Sequence, residues 1–440
     1  MSRLALSFYS AVMRMAQPLL RQKLARRALQ EPGYADAVNE RFGHYTQPKE
    51  AAPELVWLHA VSLGETRAAA VLLEALRITF PGLRLLLTHG TATGRAEGKA
   101  LLRAGDVQVW QPWDTRDVVE RFFEHFKPRL GVLIETEVWP CAVAAAQARK
   151  IPLVVCNGRL SDKSLQQALT LSPLAMPAYA ALTAVYAQTE PDAQRYRRLG
   201  VSNVFVFGNL KFDATPSLSQ QQLGQLWRSG ASHRVIVLAS SREGEEALFI
   251  SEITSVAQQI RAQNAPENVA VKWLIVPRHP QRFDEVAALC VENGLTVSRR
   301  STWAASPFEN VDALHADVWL GDSLGEMALY YALSSAALLG GSFAPLGGQN
   351  LIEAAASACP VVMGPHTFNF AEAAELSAAS GAGFIAPDMR SAIALALELA
   401  GNPLKQASAS LAATAFAAHY QGAAKRNADA LAVYLQLKSA

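Results

Sequence analysis

The sequence predicts an α/β protein made of two successive Rossmann-like domains, each a parallel sheet with helices on both faces. Three observations lead there. Short apolar runs alternate with helix-length amphipathic stretches along most of the chain, the signature of βα units. The alternation is interrupted by one polar stretch, Thr215 to His233, where the crossover between domains is expected. Length and composition fit as well: 440 residues with 50% apolar content can fill more than one core. The expected organisation is an N-terminal segment over 1–48, a first domain over 49–212 and a second over 213–440, with a last helix long enough to return to the first.

Residues Met1 to Gln30 carry Arg3, Arg14, Arg21, Lys23, Arg26 and Arg27 and no acid, while Leu4, Phe8, Val12, Met15 and Leu19 recur at helical steps. The apolar run is too short to span a bilayer comfortably and contains Arg14. An interfacial helix lying on anionic lipid fits the pattern. A helix docked on its own protein is the plainer alternative.

In the first domain the strands are expected at Leu55 to Ala60, Arg84 to Thr88, Val107 to Trp110, Gly131 to Ile134, Leu153 to Cys156, Thr183 to Ala187 and Val204 to Phe207. Ligands of parallel sheets gather at the carboxyl ends of the strands. Polar clusters fall at those ends: His59, Ser62, Gly64 and Glu65; Thr88, His89, Thr91, Thr93 and Gly94; Glu135 and Glu137; Asn157, Arg159 and Ser161. Glu65, expected in a turn before a helix, is placed to take a proton from an attacking hydroxyl; read alone, it is equally an acid at a helix start. Glu135 and Glu137 either act on substrate or orient basic groups. Ser62, Gly64, Thr91 and Arg159 are assigned to the acceptor side. Lys211, just before the crossover, is either a cleft cation or a surface hinge residue.

The second series begins at Arg234 to Ala239. Ser240 and Ser241 follow it and suggest an anion seat at a helix start. Val271 to Val276 runs into Pro277-Arg278-His279-Pro280, where Arg278 can fork onto phosphate or carboxylate and His279 can orient it or touch ligand. Asp317 to Leu320 leads into Gly321 to Met327, with Ser323 and Glu326 spaced as a capping box, Gly325 free for close approach and Met327 apt to pack on a base. The densest stretch runs from Leu338 to Phe370. There Gly340-Gly341 ends a strand, and Gly347-Gly348 is expected to open a helix carrying Asn350 and Glu353 on one face. A carboxylate there suits vicinal ribose hydroxyls better than phosphate, which points to a nucleotide-linked donor. An ordinary turn with a capped helix is the plainer reading. Short strands are expected at Pro360 to Met363 and Gly383 to Ile385, then helices from Met389 to Ala400 and Ser408 to Leu437.

Net charge is +2, from 40 basic and 38 acidic residues, so no global basicity points to nucleic acid. The four cysteines, Cys141, Cys156, Cys290 and Cys359, lack metal-ligand spacing and read as reduced core residues.

Ten segments taken in order carry a family likeness: HAVSLGET (59–66), THGTATGR (88–95), LIETEVWP (133–140), CNGRLSDKS (156–164), GNLKFD (208–213), SSREGEE (240–246), VPRHP (276–280), LGDSLGEM (320–327), GGSFAPLGGQN (340–350) and MGPHTFNF (363–370). With them the chain resembles the 3-deoxy-D-manno-octulosonic acid (Kdo) transferases of lipopolysaccharide assembly, glycosyltransferase family 30. The resemblance implies a GT-B fold whose two domains face across a cleft, with CMP-Kdo as donor and a tetraacyldisaccharide 4'-phosphate lipid A precursor as acceptor. It implies Glu65 as general base, donor contacts from Arg278, Met327, Asn350 and Glu353, and a site on the cytoplasmic side of the inner membrane, held peripherally or monotopically. No metal or other cofactor is expected. Two positions depart from the family pattern: Gln349 stands where many members have His, so a titrating role there is in doubt, and Arg242 replaces another His. The glycine loops and Glu353 by themselves serve a UDP-sugar transferase equally well. The fold also accommodates a sugar-nucleotide epimerase or a two-domain binding protein without chemistry.

Overall fold

The computed structural model describes residues 3–213, 216–231, 233–262, 271–303 and 306–436. The chain divides into two compact units, Met1–Asp213 with Tyr420–Ala440, and Ala214–His419. Thr215, at the start of the predicted crossover, lies outside the described residues.

Unit 1 is built on seven parallel strands: β1 (Leu55–His59), β2 (Arg84–His89), β3 (Val107–Trp110), β4 (Leu130–Ile134), β5 (Leu153–Gly158), β6 (Ala184–Ala187) and β7 (Val204–Val206). Their order is β3-β2-β1-β4-β5-β6-β7. Sequence order therefore reverses between β1 and β4, which pair in parallel from Val56 with Leu130 to His59 with Leu133. Both faces of the sheet are covered, so the strands are apolar on both sides. Leu55 and Trp57 pack with Phe122, Phe123 and Phe126 on one face, and Val56 and Leu58 with Leu72, Leu73 and Leu76 on the other.

The C-terminal helix belongs to this unit. Ala428 and Leu431 share the core layer of Leu72 and Leu76. The predicted single helix from Ser408 to Leu437 is two, Pro403–Tyr420 and Ala423–Gln436. The break lies at Gly422, whose φ of +92° no helix accommodates. Asp213 stabilises the second start by accepting the N–H groups of Gly422 and Ala424.

The N-terminal segment also forms two helices rather than one, Arg3–Met15 and Gln17–Ala28. Pro18 sits in the first turn of the second, where its missing N–H is tolerated. The first helix docks on unit 1 along one side: Leu6 is buried, Ser10 accepts the Arg116 N–H at 3.0 Å, Arg14 pairs with Asp117 at 2.7 Å and Trp113 donates to the Met13 carbonyl at 3.0 Å. The other side carries the apolar row. Leu4 is 83% exposed and Phe8 74%, and Val12 and Met15 are exposed with them, as is Leu19 on the second helix.

Unit 2 repeats the plan with β8 (Arg234–Ser241), β9 (Val271–Pro277), β10 (Val297–Arg299), β11 (Val318–Leu320), β12 (Ala336–Leu339), β13 (Val361–Met363) and β14 (Gly383–Ile385), in the order β10-β11-β9-β8-β12-β13-β14. Order reverses here between β8 and β12. Part of the polar stretch read as crossover is a helix, Leu218–Ser229. It lies against the helix Met327–Leu333 so closely that a Cβ on Gly224 would stand 2.5 Å from the Leu329 carbonyl oxygen.

Candidate active site

In unit 1 the chain leaves β1 at His59 and reaches Ser62, the N-cap of the helix Leu63–Thr79. Ser62 Oγ accepts the Glu65 N–H at 3.4 Å, and Glu65 Oε2 accepts the Val61 N–H at 2.5 Å. Glu65 thus lies in the first helical turn, not in the turn before it, because Ser-x-x-Glu spacing starts the helix early. It is a helix-start acid and a half-buried one. Burial lifts its carboxyl to about 7; the Val61 N–H opposes the rise, and Glu135 and Glu137 add to it.

A second loop braces this one. Thr91 donates to the Val61 carbonyl at 2.9 Å and caps its own helix by accepting the Gly94 N–H at 3.2 Å. Gly94 is where the loops touch: a Cβ there would stand 3.0 Å from the Val61 carbonyl oxygen. Beneath lie two buried histidines. His59 Nδ1 is 2.8 Å from Thr88 Oγ1, and His89 Nδ1 is 2.9 Å from the Ala60 carbonyl. Burial holds His59 down to about 3 and His89 to about 4, so both stay neutral near pH 7 and act as packing beneath the loop.

Glu135 follows β4 with φ +66°, a left-handed turn. Its carbonyl accepts the Tyr196 hydroxyl at 2.9 Å and the Arg159 N–H at 3.4 Å. Its carboxylate lies 3.8 Å from Lys211 Nζ. Lys211 therefore meets one of the protein's own carboxylates. Burial raises Glu137, with Trp139 opposing. Glu65, Glu135, Glu137 and Lys211 thus share one neighbourhood where strand order reverses between β1 and β4. Ser62 and Thr91 build its loops. Gly64 is exposed, and the one near neighbour of a Cβ there is Ser62 Oγ at 4.0 Å. Arg159 points outward, exposed.

Unit 2 corrects three predictions. The anion seat after β8 is filled from within. Glu245, fully buried, accepts the N–H groups of Arg242 at 3.0 Å, Gly341 at 2.7 Å, Phe343 at 3.0 Å and Ala344 at 3.2 Å. Ser241 donates to Glu246 at 2.8 Å, and Glu246 also takes Arg282 at 2.7 Å. Ser240 is buried with φ +55°. Glu245 thereby holds the loop after β12, and Ser241, Glu246 and Arg282 are paired among themselves. The close approach at Gly340 is likewise internal, since a Cβ there would meet the Ser240 carbonyl at 2.4 Å. Secondly, no helix opens at Gly347-Gly348. Both glycines have positive φ, and the helix runs Ile352–Ala356, with Asn350 before it accepting the Ile352 N–H at 3.0 Å. Thirdly, Ser323 and Glu326 do not cap a helix in the predicted way. The helix begins at Met327, and Ser323 donates to the Glu326 carboxylate, which pairs with Arg300 at 2.8 Å.

The remaining donor residues sit at adjacent strand ends. Arg278 is exposed past β9, its N–H on the Ser241 carbonyl at 3.0 Å, with His279 exposed beside it. Glu353 is raised by burial, with Arg278 opposing, so the two are electrostatic neighbours. Met327 is half-buried, and Gly325 is exposed with φ +78° and open space where a Cβ would stand. Glu245 is the residue that the sequence did not single out. Its partners, 96 to 99 positions away apart from Arg242, leave no local signal.

Residues 36–214 match the family model described as 3-Deoxy-D-manno-octulosonic-acid transferase (kdotransferase). A 3-deoxy-D-manno-octulosonic acid transferase of Bordetella pertussis is 44% identical over 97% of this chain and 99% of its own. One of Haemophilus influenzae is 30% identical over 83% of each. Among solved structures, a glycosyltransferase of Rickettsia africae superimposes with a TM-score of 0.54 at 12% identity, over 88% of this chain and 100% of that one, a likeness of fold alone. Two parallel-sheet α/β units of GT-B type and a relative matched nearly end to end place this chain in the 3-deoxy-D-manno-octulosonic acid transferase family.

Proposed function

We propose that the protein transfers Kdo from CMP-Kdo to the lipid A precursor, with Glu65 as base. A sugar hydroxyl of the acceptor attacks the anomeric C2 of Kdo. The bond from C2 to the phosphate oxygen breaks, CMP leaves with the electron pair, the hydroxyl proton passes to Glu65 and configuration at C2 inverts. The observation that carries the base assignment is the position of Glu65, in the first helical turn past β1 and hydrogen-bonded to the loop before it. A half-buried carboxyl lifted to about 7 beside two further acids is matched to proton transfer near neutral pH.

On unit 2, Arg278 supplies charge for the CMP phosphate or the Kdo carboxylate, and Glu353 takes ribose hydroxyls, its burial opposed by Arg278. Met327 offers a soft surface to the base, and Asn350 a side-chain amide. Lys211 orients Glu135 rather than holding phosphate, as their 3.8 Å separation supports. Purified protein given CMP-Kdo and the lipid A precursor should yield a product heavier by one or more Kdo units by mass analysis. Product from UDP-sugars alone would overturn the donor assignment. The reaction is metal-independent on this reading, so full turnover should survive EDTA.

The enzyme works on the cytoplasmic face of the inner membrane, held there by the N-terminal helix. Support comes from the outward row of Leu4, Phe8, Val12 and Met15 on a helix whose other side is docked, continued by the exposed Leu19 of the second helix. Among the described residues no helix is long and apolar enough to cross a membrane. Replacing Leu4, Phe8 and Met15 with Ser should release the protein from sedimenting anionic vesicles without lowering its thermal midpoint. Unchanged sedimentation would refute the anchoring role.

A further inference from the structure

We infer that unit 1 holds a phosphate-binding subsite for the acceptor, seated on Arg41 beside the loop that carries Glu65. This deepens the transfer reading and rests on it.

The helix Gln17–Ala28 and the turn Val38–Phe42 enclose a cavity of about 170 Å³ bordered by Lys23, Arg27, Tyr34, Arg41, Asp114 and Trp139, among others. Arg41 is only 8% exposed. Its guanidinium lies 3.8 Å from the centre of the Trp110 ring and donates to the Gly90 carbonyl at 3.0 Å. Its Nε has no partner among the described residues. The nearby Glu40 carboxylate is engaged elsewhere, by Arg95 at 2.7 Å, the Trp110 N–H at 2.9 Å and Gln47 at 2.9 Å. Asp114, the acid in the lining, accepts the N–H groups of Cys141 at 3.0 Å and Ala142 at 2.9 Å. Three cations therefore border a space whose own carboxylate is already committed.

A buried cation with little countercharge is costly. Burial, helped by Arg95 and Arg27, brings Arg41 down to about 10, which records that cost. A dianionic phosphomonoester would relieve it, and a guanidinium fork suits its oxygens. Location points to the acceptor. The Arg41 guanidinium holds the Gly90 carbonyl, the Gly90 N–H donates to Val61 at 3.1 Å, and the Val61 N–H donates to Glu65. An anion on Arg41 sits on the same hydrogen-bonded chain as the base, so a phosphorylated sugar bound there would be registered against Glu65.

The test uses the full chain in detergent, with the phosphorylated acceptor, the same acceptor after phosphatase treatment, and inorganic phosphate as competitor. Wild type should show a KM about tenfold or more higher for the dephosphorylated acceptor, the size of a charge-assisted hydrogen bond. In Arg41→Met and in the surface variant Lys23→Ala/Arg27→Ala that gap should close, Arg41→Lys should restore part of it, and the KM for CMP-Kdo should hold throughout. Inorganic phosphate should compete with the phosphorylated acceptor in wild type. An unchanged gap in the variants, or equal losses on both acceptors, overturns the proposal. If Arg41→Met does not fold, the surface variant decides alone. Wild type that discriminates poorly but binds phosphatidylglycerol vesicles more tightly than the surface variant assigns the cations to the bilayer and likewise overturns it. Transfer to neither acceptor sinks the transfer reading. Calorimetry with inorganic phosphate then judges the subsite by itself, with binding in wild type and not in Arg41→Met as the supporting result and no binding in wild type as the contrary one.

Discussion

The two units place an acid at equivalent points, just past the first strand of each sheet and next to the reversal in strand order, and they use it in opposite ways. Glu245 in unit 2 is fully buried and accepts four backbone N–H groups, three from the loop after β12. Glu65 in unit 1 accepts from its own loop, stays half-buried and faces two further carboxyls. The first arrangement satisfies an anion and makes it a bracket for a loop. In the second, burial raises the proton affinity of the carboxyl, and two neighbouring acids add to the rise. Equivalent positions in the fold thus serve a bracket in one unit and a candidate base in the other, and the partners around each carboxylate mark the difference.

The largest expected effect tests the basic side of that contrast. Glu65→Gln keeps the shape and the cap but cannot take a proton. Its turnover should fall by about 10²- to 10⁴-fold, with CMP affinity unchanged by calorimetry. The structural side is tested next. Glu245→Ala leaves four N–H groups without their acceptor, that of Gly341 buried and the others partly so, and should destabilise the protein by on the order of 3 kcal/mol, read by denaturant unfolding. Glu245→Gln, which keeps one acceptor oxygen, should lie in between, and both should raise the KM for CMP-Kdo. A Glu245→Ala protein as stable as wild type would show that the bracket is not needed.

A smaller effect comes with pH. Burial lifts Glu65 from 4.5 to about 7, so the folded protein binds this proton more tightly than the unfolded chain. Its contribution to stability therefore falls as pH rises from 4.5 through about 7, while activity, which needs the carboxylate, rises over the same range. The pH–rate profile should show an ascending limb near 7. A limb centred near 4.5 would mean that the carboxyl is not held up. The smallest effect is Ser62→Ala. Loss of this cap should cost about 1 kcal/mol of stability and change turnover only a few-fold, because the Glu65 carboxylate keeps the Val61 N–H.

The sequence made much of this legible. Strands such as Val107–Trp110 and the one that Gly340-Gly341 ends stand where the sequence predicts them, because sheets covered on both faces leave no alternation to misread. β10 escaped notice: it is three residues long, Val297–Arg299, with Ser and Arg in it, and it lies at the sheet edge. The helix Leu218–Ser229 was hidden by its glutamines and by Gly224, a residue that weakens a helix locally but lets two helices touch. At the site, Glu65 was visible as a polar residue past a strand. Its place was misjudged: the expectation put it in a turn before the helix, whereas the Ser62-x-x-Glu65 spacing starts the helix at Leu63. The role of Glu245 was not legible, because what defines it is a loop almost a hundred residues further on. Arg41 stayed obscure for the same reason, since its carbonyl partner Gly90 is 49 positions away.

The most direct test of the central claim is single-turnover transfer from CMP-Kdo by wild type and Glu65→Gln, at matched occupancy of donor and acceptor, across pH 5 to 9. The wild-type rate should climb to a plateau above about 7, and the Glu65→Gln rate should be at least ~100-fold lower and flat with pH. A variant rate within about tenfold of wild type and with the same ascending limb would contradict it, placing the titrating base elsewhere.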